Sequence, residues 1–347
     1  MRKAISLFLI VLLSVSVVFA QGGAEKQEAK DAPKTEGVVN VYSIMPEAYA
    51  SIIFDEFTKD TGIKVNFTRM SAGDALARLT AEKDNPQVDA LWGGPSDTYD
   101  AGVAKGLFQV YVPKEADKIP ANYRSPEGYW TGVGLIPLCF VINTNFLKEH
   151  NLPVPTSWYD LLDPAYEGQL QMADARTSGT ATERIYALCY ALGSEDAAYD
   201  YQKKLNKNVQ LYTKSGGGGL MPIGTGQSAG GIFYLVDALK TQQEGYPIEI
   251  SFPKEGVTYS PEGSGIVAGA KNINAAKALM DWASTKRLGD IMMANKINYV
   301  PVRADVEVSN PALNLSTMPL IESDSAWKGA NRERLVQRWI DEVITAK

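Results

Sequence analysis

Residues 38–94 read VVNVYSIMPEAYASIIFDEFTKDTGIKVNFTRMSAGDALARLTAEKDNPQVDALWGG. The stretch alternates between two periods. Residues 38–43 are rich in β-branched and aromatic side chains and read as a strand. Residues 47–61 place Ala50, Ile53, Phe54 and Phe57 on one helical face, and Gly62 stops the helix. A strand over 64–69, a helix over 74–83 and a third strand over 88–92 follow. Short links between such elements predict a mostly parallel sheet covered by helices. Ligands in such sheets sit at the carboxyl ends of strands, near where the strand order reverses. The loops 43–47, 70–73 and 93–97 are therefore the first places to look for a site.

Toward the N-terminus, Arg2 and Lys3 precede an uncharged apolar run over 4–20, with Val18-Phe19-Ala20 before Gln21. This is the layout of a secretory signal peptide cut near Ala20. A retained membrane anchor is the alternative, but the run falls short of the ~20 apolar residues a span needs. Gln21 stands where lipid anchoring would require Cys. Residues 21–36 are charged and small, a flexible leader that acts as a tether or a plain spacer. About 310 residues remain, which suits two lobes better than one small core. The net charge is −6 and becomes more acidic once Arg2 and Lys3 are removed. That argues against nucleic acid or anionic lipid surfaces as the main partner. Cys139 and Cys189 lie in apolar runs and read as buried small residues rather than a disulfide. With one histidine, His150, they cannot build a Cys/His zinc site, and neither metal nor cofactor is expected.

Toward the C-terminus the alternation resumes. Strands are expected over 132–143, 169–172, 209–212, 231–233 and 248–252, with an extended segment over 265–270. Helices are expected near 158–162 and over 182–192, 234–243, 275–286 and 332–345. Ser178, Gly179, Thr180 and Ala181 precede the helix at Thr182. A helix start presents unpaired N–H groups and partial positive charge, so phosphate or carboxylate binds there; an ordinary Ser/Thr cap is the other reading. Ser71-Ala72-Gly73 forms a second such mouth. After Lys214 and Ser215, glycines 216–219 make either a flexible link or a surface that lets a ligand come close. They lack the Gly-Lys-Ser/Thr spacing of a nucleotide loop. Tyr42, Trp92, Tyr129, Trp130 and Tyr234 are candidates for lining a cleft or filling a core.

The order and local sequence resemble the periplasmic substrate-binding proteins of ABC importers, in the branch that holds iron(III), thiamine, putrescine, phosphonate and sugar-phosphate binders. The residues that carry the resemblance include VVNVYS at 38–43, AEKDNPQVDALWGG at 81–94, PTSWYDLLDPAYEGQL at 155–170, ARTSGTA at 175–181 and EGYPIEISFPKEG at 244–256. The resemblance implies the type II periplasmic-binding fold, two α/β lobes with mostly parallel sheets and a ligand cleft between them. One lobe would comprise 37–142 with 266–308, the other 143–265 with 309–347. Crossing strands would fall near 140–144 and 256–267, and the final helix would pack on the second lobe. An iron site of this branch would use adjacent tyrosines and an early histidine; here Phe233-Tyr234 and 43–47 supply one tyrosine and no histidine. The sugar-phosphate branch would hold hydroxyls with a His-Asp pair and a later Glu; here Val236-Asp237 and Glu262 stand in those places. The implied ligand-binding residues are Ser43, Ile44, Ser71, Ala72, Gly73, Gly94, Ser178, Gly179, Thr180, Ala181, Ser215, Gly216, Tyr234, Asp237 and Glu262.

The resemblance implies a monomeric subunit that captures a small polar, anionic ligand, phosphorylated or a phosphonate, and delivers it to an ABC permease and its ATPase by hinge closure. Iron(III), thiamine or a polyamine is the alternative cargo. A sensor module on a membrane receptor is a second reading and a secreted enzyme a third. For a serine or cysteine nucleophile, His150 is the sole partner available.

Overall fold

The computed structural model describes residues 37–345, so the expected signal peptide and leader lie outside the described residues. Its first half runs β1 (Gly37–Ser43), α1 (Glu47–Thr61), β2 (Ile63–Arg69), α2 (Ala72–Ala81), β3 (Ala90–Pro95), α3 (Ser96–Ala104), β4 (Phe108–Gln109), β5 (Thr131–Asn143), α4 (Thr144–Glu149) and β6 (Leu170–Ala173). Then come α5 (Gly179–Ala191), α6 (Glu195–Leu205), β7 (Val209–Thr213), α7 (Leu220–Gly224), β8 (Gly230–Tyr234), α8 (Leu235–Gln243), β9 (Ile248–Ser251) and β10 (Val257–Val267). The chain closes with α9 (Ile273–Ala283), α10 (Lys286–Ala294), β11 (Leu320–Ile321) and α11 (Ser325–Trp339).

Hydrogen-bonded strands follow the order β2-β1-β3-β10-β5-β8-β6-β7, with β4 and β11 on β10 and β9 on β5. β1 is parallel to β2 and β3, and β6 is parallel to β7 and β8. Two long strands join these groups. The first half of β5, Thr131 to Pro137, pairs antiparallel with β10, while Leu138 to Asn143 pairs with β8 and β9. Pro137 stands at the handover, a place where a residue with no N–H does least damage to a ladder. All thirteen residues of β5 are buried, as expected for a strand covered on both faces. β10 likewise pairs with β3 through Glu262 to Ile266 and with β5 through Tyr259 to Ser264.

α1 starts and stops where its periodicity predicts. Ala50, Ile53, Phe54 and Phe57 are buried, and Gly62 takes the left-handed conformation (φ 80°) that lets its N–H reach the Thr58 carbonyl. Other elements depart from expectation. α5 begins at Gly179, not Thr182, so Thr180 and Ala181 belong to its first turn. The 158–162 segment is a 3₁₀ turn closed by a capping box between Ser157 and Asp160. The helix expected over 275–286 is two helices, because Ser284 and Thr285 bond back to Asp281 and Trp282 and end α9. α3 has too weak an apolar stripe to stand out in sequence, whereas α6 buries a clear face of Ala198, Tyr199, Tyr201 and Leu205 that the strand-and-helix expectation omits. Cys139 and Cys189 are free and buried, and burial pushes the Cys189 thiol up to about 12.

The final helix starts at Ser325, earlier than expected, and does not sit on the second group of strands alone. Its first turns lie against α3, where a Cβ on Gly329 would come within 2.5 Å of the Asp100 Cβ. Its last turns lie against α6, where Arg334 binds Glu195 through two bonds of 2.8 and 2.7 Å.

Candidate functional site

The carboxyl ends of β1, β2 and β3 face the starts of α5 and α8 across a cavity of about 410 Å³. Its walls therefore come from both groups of strands, with Ile136 of β5 and Glu262 of β10 beneath.

One wall is rich in hydrogen-bond donors. Ser178 occupies the cap position of α5 in an extended conformation, yet its side chain makes no capping bond. Its Oγ is buried and has no partner among the described residues. The first N–H groups of the helix, at Gly179, Thr180 and Ala181, have no intrahelical acceptor and carry the positive end of the helix dipole. This is the arrangement that takes an oxyanion. Gly216 packs on the same turn, where a Cβ would lie 2.1 Å from Thr180 Oγ1, so only glycine lets the 215–219 loop come so close. Arg69, the last residue of β2, lines the cavity, and its guanidinium makes no hydrogen bond or ion pair among the described residues.

Carboxyl groups line the other side. The Asp237 carboxylate, in the first turn of α8, is half-buried and makes no side-chain hydrogen bond among the described residues. Burial pushes it up to about 6, with Arg69 and Lys240 pulling the other way. Lys240 is itself paired with Glu244. Glu262 is 3% exposed. Its Oε1 accepts from the Gly94 N–H (2.8 Å) and the Tyr299 hydroxyl (3.2 Å), while Oε2 is buried without a partner among the described residues. Loss of water around the carboxyl pushes Glu262 up to about 8, although both hydrogen bonds oppose the shift. At neutral pH the group is therefore largely protonated. Gly94 has φ +80°, and a Cβ there would meet Ile44 at 2.6 Å, so close packing holds the amide on Glu262.

Most of the expected residues meet here: Ile44, Ser71, Ala72, Gly94, Ser178, Gly179, Thr180, Ser215, Gly216, Tyr234, Asp237 and Glu262 all line the cavity. Ser43, Gly73 and Ala181 do not. Ser43 is fully buried, and its carbonyl accepts the Met70 N–H. Ala181 is fully buried in α5. The Gly73 N–H is taken by the Thr177 carbonyl at 2.9 Å, a bond between the two walls. Lys214 and Asp74 bridge the same seam at 3.1 Å, so the cleft is closed. Of the aromatics, Tyr42, Trp92 and Trp130 are buried outside the cavity. Tyr42 donates to Glu82, and Trp92 packs on Phe54. Tyr234 lines the cavity, and its hydroxyl donates to the Gly179 carbonyl at 3.3 Å. His150 stacks on Phe146 and does not line the cavity.

Arg69, Lys240, Glu244 and Tyr299, which the sequence does not single out, also stand in the lining. Arg69 carried a signal, since it ends a strand beside a loop already marked. Tyr299 carried none, because it arrives from an irregular segment after α10.

A profile of the family described as bacterial extracellular solute-binding protein matches residues 96–328. The Fe(3+)-binding periplasmic protein of Serratia marcescens is 28% identical over 331 residues, 91% of this chain and 90% of that one. A putative 2-aminoethylphosphonate-binding periplasmic protein of Salmonella typhimurium is 27% identical over 308 residues, 84% and 87% respectively. Among solved structures, the periplasmic binding protein AfuA from Actinobacillus pleuropneumoniae, with fructose-6-phosphate bound, superposes with a TM-score of 0.86 at 29% identity, covering 89% of this chain and 99% of that one. This chain accordingly belongs to the bacterial extracellular solute-binding proteins, with the two-lobed fold of the periplasmic binding components of ABC transporters.

Proposed function

We propose that this protein captures a small solute bearing a phosphate or phosphonate group outside the cytoplasmic membrane, closes over it and presents it to an ABC permease and its ATPase, without covalent chemistry. The observation that carries the reading is the pairing of opposite walls. Ser178 Oγ, the first amides of α5 and the Arg69 guanidinium offer donors to an oxyanion. Asp237 faces them with acceptor oxygens unused among the described residues, and Glu262 with its unpartnered Oε2, which donates when the carboxyl is protonated; both suit the hydroxyls of the same ligand. The relatives named for a phosphonate and the structure holding a sugar phosphate agree with that pairing. Iron fits less well. Tyr234 and Tyr299, the tyrosines at the cavity base, donate their hydroxyl protons to Gly179 and Glu262, and burial raises both well above the ordinary tyrosine range. His150 lies outside the cavity, so no histidine stands beside a cavity hydroxyl to make it a nucleophile. The relatives are periplasmic by name, and the proposal places this chain there as a monomer.

Thermal melting against glucose 6-phosphate, aminoethylphosphonate, inorganic phosphate, iron(III) citrate, thiamine and putrescine tests the reading. A ligand held only by the folded state adds ~2.7 kcal/mol at a hundred times its dissociation constant. Phosphorylated or phosphonate compounds are expected to raise the midpoint and to be recovered unchanged. Arg69→Met is expected to weaken them by about tenfold or more, the cost of one charge-assisted hydrogen bond. A shift with iron alone would overturn the ligand reading and leave the family intact.

A further inference from the structure

The two ends of α11 rest on different parts of the molecule, and its middle is buried between them. Near its start, Ser325 Oγ lies 2.6 Å from Ser96 Oγ and donates to Asp100 of α3 at 3.1 Å. Near its end, Arg338 donates to Asp196 of α6 at 2.7 Å, and Trp339 packs edge-on against Tyr212. Lys328 and Arg332, one turn apart and so on one face, point inward. The Lys328 ammonium donates to Glu183 of α5 at 2.7 Å. Arg332 donates to Asp97 of α3 and, at 3.1 Å, to Thr182 Oγ1 of α5. No side chain of the four charges is more than 5% exposed. Asp97 also accepts from the Tyr186 hydroxyl of α5 at 2.9 Å.

The chain of bonds does not stop there. Thr182 Oγ1 donates to the Gly179 carbonyl at 2.9 Å, in the turn whose amides face the cavity. Asp97, Arg332, Thr182 and Gly179 thus form one hydrogen-bonded line. It runs from α3, on the β1–β3 side, through α11 to the first turn of α5, on the β6–β7 side.

We propose that Arg332 is a positioning residue for ligand capture, which sets the first turn of α5 through Thr182 and makes that setting depend on α3 being docked through Asp97. A buried charge that loses its partner is costly, whereas the intact pair is tolerated. The Asp97–Arg332 bond therefore favours the arrangement in which α3 and α5 are together, and the cleft is shut. In that arrangement Thr182 accepts from Arg332, which leaves its one proton for Gly179 and orients the turn. The inference rests on the anion reading of that turn, but the bond between α3 and α11 can be tested without any ligand.

Two variants separate the links. Thr182→Val keeps the ion pair and removes the hydroxyl; Arg332→Met removes the charge and keeps the stem. Titration calorimetry with glucose 6-phosphate and with inorganic phosphate, and X-ray scattering with and without each, provide the readouts. T182V is expected to bind either probe about tenfold more weakly, as for one lost hydrogen bond in a network, with its probe-induced compaction retained. Unliganded wild type exchanges between open and shut, so R332M, which loses the shut share, is expected to have a larger radius of gyration than wild type without ligand and to lose compaction with it. R332K is expected to restore compaction and leave the affinity loss in place. Wild-type affinity in T182V would overturn the link to the turn. An unliganded R332M as compact as wild type would overturn the link to closure, even if neither probe binds and the anion reading has itself failed. If R332M does not fold, the T182V titration decides.

Discussion

Replacing Gly73 with alanine is expected to weaken ligand binding by roughly ten- to a hundredfold, the scale of a 1–3 kcal/mol overpacking cost. The ligand-free protein should meanwhile melt at or above the wild-type temperature. Gly73 does not line the cavity, so the side chain would touch no ligand. Its Cβ would instead lie 2.6 Å from the Arg176 carbonyl oxygen and 2.9 Å from the Thr177 Cα. Both are backbone atoms of the opposite wall and cannot turn aside. Gly73 sits in the first turn of α2, and its φ is not in the left-handed region. Alanine therefore suits the local backbone and improves helix propensity there. The clash exists only when the cleft is shut. Calorimetric titration beside thermal melting distinguishes the cases. Unchanged affinity would mean that the two walls do not need to meet, and a ligand-free midpoint lowered by the full clash would mean that the cleft stays shut throughout without ligand.

Glu262→Gln should remove a steep pH dependence. The carboxyl titrates at about 8 in the folded protein and about 4.3 when unfolded. Between those values the folded state holds a proton that the unfolded state has released, so stability falls as pH rises, by about 1.4 kcal/mol per unit. Glutamine has the shape of the neutral acid and can still accept from Gly94 and Tyr299. Asp237, raised to about 6, contributes a slope of the same sign at lower pH and remains in the variant. The clean window is therefore from about pH 6 to about pH 8. Urea unfolding across it should show wild type losing stability faster than E262Q. Parallel profiles would show that Glu262 is ionised and hydrated in the folded protein.

Much of this was legible in sequence, for identifiable reasons. The α1 stripe and Gly62 needed only local rules, and the structure follows them residue by residue. The strand-end rule points to the loops that line the cavity, and so to Ile44, Ser71 and Gly94. The start of α5 was misplaced because apolar periodicity begins at Thr182, whereas the helix is set by where its N–H groups point, which begins at Gly179. A small residue at a helix mouth, such as Gly73, looks the same in sequence whether an anion or another backbone approaches it. Tyr299 and Arg332 act through partners 37 and 235 positions away, and no local pattern records such distances.

The pairing of β5 and β10 has a consequence for how the chain comes to be folded. β3 lies beside β10, across a separation of roughly 170 positions, and pairings so remote are slow to form. Until residues 257–267 are available, the strands of the first hundred residues have an open edge, and β5 lacks half its neighbours. Neither half can be cut out and expected to fold. A molecule built this way joins its two groups of strands late, after about three quarters of its length has emerged.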